Sequence, residues 1–567
     1  MNTVIFLIMR RMRIPLLVLL TVYTIAIIGI TLMPGKDNEG NLWYMDFFHA
    51  FYFVSYMGST IGFGEIPYEF SKLQRMWVIV SMYMTVIAWI YAIGALLALL
   101  QDKALRHTII EKRFARIVRN IHEPFYLICG YGDTGQALVS ALEEKLMRSV
   151  VIELCQERIN VLAIENYPVY VPKLCADASK PIHLVEGGLK NTNCAGIVAI
   201  TNDNLANLHI AITAKLLRPE LAVIGRVDSH EVAANMDSFG TNYLINPFDI
   251  FARKLHTAIH TPDLLLLHEW LTDSLNIESC EALSPPQQGL WVLCGYGRFG
   301  KAIYEQFKNV KHIKLVVIEA MPDRTGYPDK GEFITGRGTE AHTLQQAHIE
   351  QAVGIVAGTD DDVNNLSIVM TAKELNPKLF VVLRQNNTSN QIIFKAAKAD
   401  ITMQPSKIIA SRIRVLLTTP SLVNFMRIIK HSGEQAWIRK LLQHIKKDIL
   451  HDTKPNIWEV TINPEQTPTI CAELAANKPI SLDCLLRNPR NRDNILECLP
   501  LLLIRDEQSI LLPERTELLS IGDKILWCGK RGVTAWMEWV LRDPVILTYL
   551  KTGKTVSLMS KFIQRIG

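Results

Sequence analysis

Two uncharged apolar runs, residues 14–33 and 76–100, constrain this chain more than any other feature. At about 1.5 Å per helical residue, each is long enough to cross a hydrocarbon core of about 30 Å. A cleaved signal peptide would account for Arg10, Arg11 and Arg13 ahead of the first run. That run, however, exceeds an h-region of roughly 7–15 residues, and no small-x-small cleavage site follows it. Lys103, Arg106, Lys112, Arg113, Arg116 and Arg119 follow the second run closely, so the positive-inside rule places both chain ends in the cytoplasm. A multi-pass protein of the lipid bilayer is expected.

Residues 46–59, between the runs, are aromatic and too few to span. They fit a re-entrant helix, with Asp46 as its N-cap and a C-terminal partial negative charge suited to facing a cation. That segment leads into Ser59-Thr60-Ile61-Gly62-Phe63-Gly64-Glu65-Ile66-Pro67. Successive carbonyls point at one axis only if the backbone alternates between ordinary and positive φ, and glycine takes the latter cheaply. Gly62 and Gly64 supply that freedom, Thr60 adds a hydroxyl, and Ile61 and Phe63 turn outward as packing wedges.

Thr60, Ile61, Gly62, Phe63 and Gly64 resemble the Thr-Val-Gly-Tyr-Gly filter of potassium channels, whose carbonyls replace the ion's hydration shell. The resemblance implies potassium ions in this filter and a span, pore helix, filter, span unit. It also implies a homotetramer, because one chain contributes one of the four filter strands. Glu65 stands where the family more often has Asp, a departure that bears on hydrogen bonding at the outer mouth. Gly94, in the second span, is implied as a gating hinge. Close helix packing is the competing reading, since glycine is common in membrane helices.

The remainder of the chain repeats itself. Phe125-Tyr-Leu-Ile-Cys leads into Gly130, Tyr131, Gly132, Asp133, Thr134 and Gly135, and Leu290-Trp-Val-Leu-Cys leads into Gly295, Tyr296, Gly297, Arg298, Phe299 and Gly300. The next apolar strand ends in an acid both times, Glu153 and Glu319. Strand, Gly-x-Gly-x-x-Gly, helix and acid form the dinucleotide fingerprint: glycines for the turn, for close approach and for helix packing, and a carboxylate for ribose hydroxyls. The pairing continues through Thr201 and Thr359, Asn207 and Asn365, Arg226 and Arg384, and Asn246-Pro247 and Gln404-Pro405. These repeats resemble the domains that regulate potassium conductance (RCK), also found in potassium-uptake regulators, and the resemblance spans roughly residues 124–412. It implies NAD or an adenine nucleotide as regulatory ligand.

The repeats differ chemically. After its third strand the first keeps the acid of the family pattern as Asp177, whereas the second has Arg337. With Arg298 also in its glycine loop, the second unit is expected to prefer more phosphate charge, and the first a dinucleotide. A purely structural fingerprint, holding strand to helix, remains open for either unit. Asp360, Asp362 and Asn364 have the spacing of a calcium loop, but Asn365 and Thr371 replace its glycine and glutamate, so helix capping is the expected role.

For 567 residues a net charge of +5 is small and makes no case for nucleic acid. The ten cysteines all follow the second apolar run without a Cys-x-x-Cys pair, as suits thiols in a reducing compartment rather than a zinc site. The expected organisation is a pore domain (1–100), linker helix (101–123), first RCK unit (124–270), linker (271–289), second RCK unit (290–412), crossover helices (413–455), C-terminal lobe (456–532) and helical tail (533–567). Residues 101–123 contain no Gly or Pro and are expected to continue the second span as a lever.

The fold class is an α-helical transmembrane pore of two spans plus a pore helix, followed by α/β Rossmann-like tandem RCK domains and a small α+β C-terminal lobe. The expected function is a nucleotide-gated potassium channel of the cell inner membrane with cytoplasmic RCK domains, and not an enzyme. A membrane-anchored NAD-dependent oxidoreductase is the alternative. It leaves the filter unexplained and finds no candidate base or substrate domain between the repeats.

Overall fold

The computed structural model describes residues 2–272, 284–432, 435–449 and 455–553, and the chain divides into two compact units, Met1–Asn120 and Ile121–Gly567. Most of the expected 271–289 linker and the end of the helical tail lie outside the described residues.

In the first unit, helices α1 (Asn2–Leu32) and α3 (Lys72–Gln101) flank the shorter α2 (Phe47–Gly58). The stretches Met12–Leu32 and Lys72–Leu99 are long and apolar enough to cross a membrane. Gly29 lies under the Trp77 ring, where a Cβ would sit 2.1 Å from a ring carbon, and the Trp77 indole donates to the Ala26 carbonyl at 3.1 Å. Asp46 caps α2 as its sequence position predicts, accepting from the His49 N–H at 3.2 Å. The expected unbroken lever is corrected: α3 stops at Gln101, and Asp102 turns to an extended ψ of 115° before α4 (Lys103–Arg119) begins. The Asp102 carbonyl accepts from the Arg106 N–H, so this residue starts a new helix, a position aspartate favours.

The second unit holds two parallel sheets of identical topology. In the first, β1 (Phe125–Cys129), β2 (Arg148–Glu153), β3 (Lys173–Cys175), β4 (Cys194–Ala199), β5 (Ala222–Arg226) and β6 (Tyr243–Ile245) lie in the order β3-β2-β1-β4-β5-β6, with α5 (Asp133–Glu143) joining β1 to β2. Helices α6 (Pro247–His260) and α7 (Pro262–Thr272) follow. The second sheet repeats the order with β7 (Gly289–Cys294), β8 (Ile313–Glu319), β9 (Glu332–Thr335), β10 (Ala352–Ala357), β11 (Phe380–Arg384) and β12 (Ile401–Met403), and α8 (Arg298–Phe307) joins β7 to β8. This is the doubly wound dinucleotide-binding order, whose ligand crevice opens where the strand order reverses, here beside β1 and β4.

The two repeats exchange helices. Phe248, Phe251 and Leu255 of α6 enter the core of the second sheet beside Phe299 and Ile303. Reciprocally, Ile409, Ala410 and Ile413 of α9 (Pro405–Thr418) enter the core of the first beside Leu138 and Val139. Both helices begin with proline after an amide-bearing residue, Asn246 and Gln404, a favourable start because proline at the first position lacks only an N–H that would have no partner.

The helical stretch breaks at Thr419 as expected, and α10 (Pro420–Ser432) and α11 (Gln435–Asp448) follow. A C-terminal lobe of four antiparallel strands, β13 (Asn456–Thr461), β14 (Cys498–Arg505), β15 (Gln508–Leu511) and β16 (Lys524–Gly529), encloses Trp527.

Candidate functional site

In the first unit, φ is positive at Thr60 (63°), Gly62 (67°) and Gly64 (96°), so the backbone alternates through the proposed filter. The glycines are where the sequence places them. Thr60 was not legible, because threonine has no preference for that region. The Tyr56 hydroxyl of α2 donates to the Gly64 carbonyl at 2.5 Å, and its ring packs edge-on to Phe63 with centroids 5.4 Å apart. Glu65 receives Arg75 through both oxygens, at 2.8 and 3.0 Å, and accepts from the Phe70 N–H at 2.8 Å. The outer-mouth bonding left open by a glutamate at this position is thus a fork to the start of α3. At Gly94, α3 runs uninterrupted and a Cβ would meet nothing within 4 Å, so packing within the chain does not require glycine there.

In the second unit, a cavity of about 690 Å³ opens at the reversal of the first sheet. Gly130, Gly132, Asp133, Thr134, Glu153, Asp177, Thr201 and Arg226 line it, together with Arg298 and Arg384 from the second repeat. Helix α5 starts there on Gly132 with no side chain capping its first turn, which leaves N–H groups and the positive end of the helix dipole to the cavity. A Cβ on Gly130, at φ 108°, would press on the Ile200 carbonyl at 3.1 Å, and one on Gly135 would lie 2.3 Å from the Gly130 oxygen. These are the turn and close-packing roles expected of them. Tyr131 is fully buried and bonds to Tyr167 rather than facing the cavity.

Glu153 has a job besides any ligand. One carboxylate oxygen accepts from the Tyr131 N–H at 2.5 Å and the other from the Cys155 N–H at 2.9 Å. Glu319 repeats this with Tyr296 and Met321, at 2.6 and 2.8 Å. Each acid therefore braces its own glycine turn, and its remaining lone pairs are what it can offer a ribose. Asp177 accepts the Ser179 hydroxyl at 2.6 Å, which with the Ser179 N–H holds its carboxyl below the ordinary value against the opposing effect of burial. Thr201 and Thr359 donate to Asn207 and Asn365, at 2.8 and 2.7 Å, and these amides donate in turn to the Arg226 and Arg384 carbonyls at 3.0 and 2.9 Å, tying the loop to the adjoining strand end.

The second repeat presents a different picture. Phe299 is fully buried against Phe248 and Phe251, and the Arg384 guanidinium stacks on Phe248 at 4.9 Å and Phe299 at 5.8 Å. Arg384 is 8% exposed, its Nε has no hydrogen-bond partner, and burial lowers it to about 10, still cationic at neutral pH. Arg298, which the sequence groups with the second repeat's own ligand, instead reaches Asp228 of the first at 2.8 Å. Gly295, Tyr296, Gly297, Gly300, Glu319, Thr359 and the exposed Arg337 lie outside this cavity, and Gly300 packs as Gly135 does, with a Cβ 2.0 Å from the Gly295 oxygen. Phe248, Arg158, Asn386, Asn387, Pro405 and Ser406 also line the cavity, and the sequence marks none of them as a site residue, Pro405 being read only as a match to Pro247. Arg158 comes from the helix that follows β2 in the same repeat, whereas the others are brought by the exchanged helices and the second repeat, a packing that leaves no mark in the sequence. Asp361 caps the following helix through the Asn364 N–H at 2.7 Å, as the sequence predicts, whereas Asp362 accepts from the N–H groups of Asn386 and Asn387 and so holds the loop after β11.

Residues 17–102 match the family described as "Ion channel", and residues 126–247 and 291–405 match the family described as "TrkA-N domain". The chain thus carries one region similar to an ion-channel domain and two similar to TrkA-N domains. It is similar to "Probable potassium channel protein 2" of Methanocaldococcus jannaschii, at 29% identity over 24% of this chain and 41% of that protein. It is also similar to "Trk system potassium uptake protein TrkA" of Mycobacterium tuberculosis, at 24% identity over 41% of this chain and 90% of that one. The chain covers 41% and 46% of the lengths of the two Methanocaldococcus jannaschii potassium channel proteins it matches. Among solved structures, one described as "GsuK channel bound to NAD" aligns over 95% of this chain and 99% of its own at 15% identity, with a TM-score of 0.44. Thr60 to Gly64 thus lie inside the ion-channel domain, and both glycine loops inside TrkA-N domains.

Proposed function

We propose that the chain is a potassium channel gated by a nucleotide, NAD or an adenine nucleotide, bound to its TrkA-N domains. Homotetramers would place four copies of Thr60 to Gly64 around one axis in the cell inner membrane, with the TrkA-N domains cytoplasmic and no enzymatic step. The alternation of φ from Thr60 to Gly64 carries the pore reading, because it is what lets successive carbonyls coordinate a dehydrated cation. Potassium-channel relatives support the choice of ion. Gly94 is proposed as the bending point of the gate.

The buried, incompletely bonded Arg384, lining the same 690 Å³ cavity as an uncapped helix start, carries the nucleotide reading. An anion between them would satisfy both. Because Phe299, Phe248 and Arg384 crowd the second glycine loop, one nucleotide per chain is proposed, held by the first loop and by arginines of the second repeat.

Liposome flux with the purified protein tests the reading. Potassium should pass over sodium, with flux changing on addition of NAD or ADP. Gly62→Ala, which puts a side chain at φ 67°, should abolish conduction with assembly retained. Equal sodium and potassium flux would overturn the pore reading, and nucleotide binding that Arg384→Gln leaves intact would overturn the site.

A further inference from the structure

A second cavity, of about 630 Å³, opens among α6, α7, α9 and α10. Among the described residues, five Lys or Arg side chains line it, Arg253, Lys254, Arg412, Arg427 and Lys430, against one carboxylate, Asp249. Lys254 is neutralised by Glu269 at 2.9 Å in a buried pair, and Arg427 donates to the Asn424 amide oxygen at 2.8 Å. For Arg253, Arg412 and Lys430, no carboxylate among the described residues lies within 4.0 Å. Arg412 is half-buried, and burial, then the charge of Arg253, pulls it below its ordinary value. Folding therefore gathers onto one concave surface three cations that have no ion-pair partner among the described residues.

Apolar side chains also line the cavity, Leu265 and Val415 among them. A concave volume of this size suits a small molecule, since ligand pockets run from roughly 300 to 1,000 Å³. Guanidinium forks match phosphate oxygens bidentately, and that match distinguishes phosphate from a simple halide.

We propose that this cavity is a second ligand site, for a small phosphate-bearing anion held between Arg253 of α6 and Arg412 of α9 with Lys430 at its rim. It is separate from the nucleotide cavity and does not depend on that reading. The same two helices serve both places: Phe248, Pro405 and Ser406, at their starts, line the nucleotide cavity, and Arg253 and Arg412, further along, line this one. An anion here fixes the mutual placement of the exchanged helices. Any effect it has on nucleotide affinity must be returned in equal measure.

The test is equilibrium binding of radiolabelled inorganic pyrophosphate, and of ADP in a parallel arm, to the full-length assembly at about 0.15 M salt. Arg253→Gln/Arg412→Gln and the surface variant Lys430→Glu should each weaken pyrophosphate at least tenfold, while Arg412→Lys, which keeps the charge and loses the fork, weakens it less than the double variant, and Arg384→Gln leaves this binding unchanged. Tighter binding of ADP than of pyrophosphate, lost in the same variants, assigns the apolar wall to a nucleoside. Equal binding assigns the site to phosphate alone. The proposal is overturned if pyrophosphate does not bind the parent, if Lys430→Glu and the double variant bind it unchanged, or if only Arg384→Gln abolishes it. Failure of the nucleotide reading is seen separately, as NAD binding indifferent to Arg384→Gln.

Discussion

Asp228, two residues beyond the end of β5 and 2% exposed at its side chain, accepts a 2.8 Å bond from Arg298 in the glycine loop of the other repeat. Arg226 approaches the same carboxylate at 3.4 Å. The two Rossmann repeats are thus joined by charge as well as by exchanged helices.

Removing Arg298 leaves a buried carboxylate oxygen short of a partner, at a cost of about 1–3 kcal/mol that Arg226 partly offsets. Arg298→Ala should lower the thermal midpoint of the ligand-free protein. Asp228→Asn combined with it should lose less than the sum of the single changes, because the uncompensated charge goes with it. Strict additivity in denaturation would show that the two side chains do not interact.

Glu65 and Arg75 connect the residue after the filter to the start of α3 by two hydrogen bonds. Arg75→Gln should reduce potassium flux and relax selectivity severalfold, with the assembly intact by size. The exchange Glu65→Arg/Arg75→Glu should recover part of both. Parent-like selectivity in Arg75→Gln would mean that Tyr56 and Phe70 suffice to hold the outer mouth.

Because Glu153 braces backbone N–H groups, its loss should be felt without ligand. Glu153→Ala, leaving two donors unsatisfied at a 6% exposed position, should lower the unliganded midpoint and weaken NAD at least tenfold. Glu153→Gln, which keeps one acceptor, should do less of each. An unchanged midpoint alongside weakened NAD would return Glu153 to a ribose contact alone.

A full swing of a two-state gate needs a differential affinity of about 5.5 kcal/mol, which four chains with one nucleotide each would meet at roughly 1.4 kcal/mol per site. The covalent route for that work is α4 (Lys103–Arg119), already separated from α3 at Asp102. Inserting three glycines after Arg106 should leave nucleotide binding and selectivity in place and shrink the change in open probability. A full-size response in single-channel recordings would remove α4 as the lever.

What the sequence determined by itself rests on local physics. Run length set the two apolar helices, glycine at positive φ set the filter turn and the Rossmann loops, and Asp46 and Asp361 capped the helices their spacing predicts. Matching acids after matching strands were likewise enough to place Glu153 and Glu319 beside their loops. Tertiary structure alone decided the rest, because side chains distant in sequence meet only through topology. The exchange of α6 and α9 carried Arg298 and Arg384 into the first repeat's cavity, and it brought Arg253 to the same cavity wall as Arg412. No periodicity or motif records which neighbour an amphipathic helix will choose. Its apolar face fits either of two near-identical sheets, and only the packed fold shows that each repeat buries the other's.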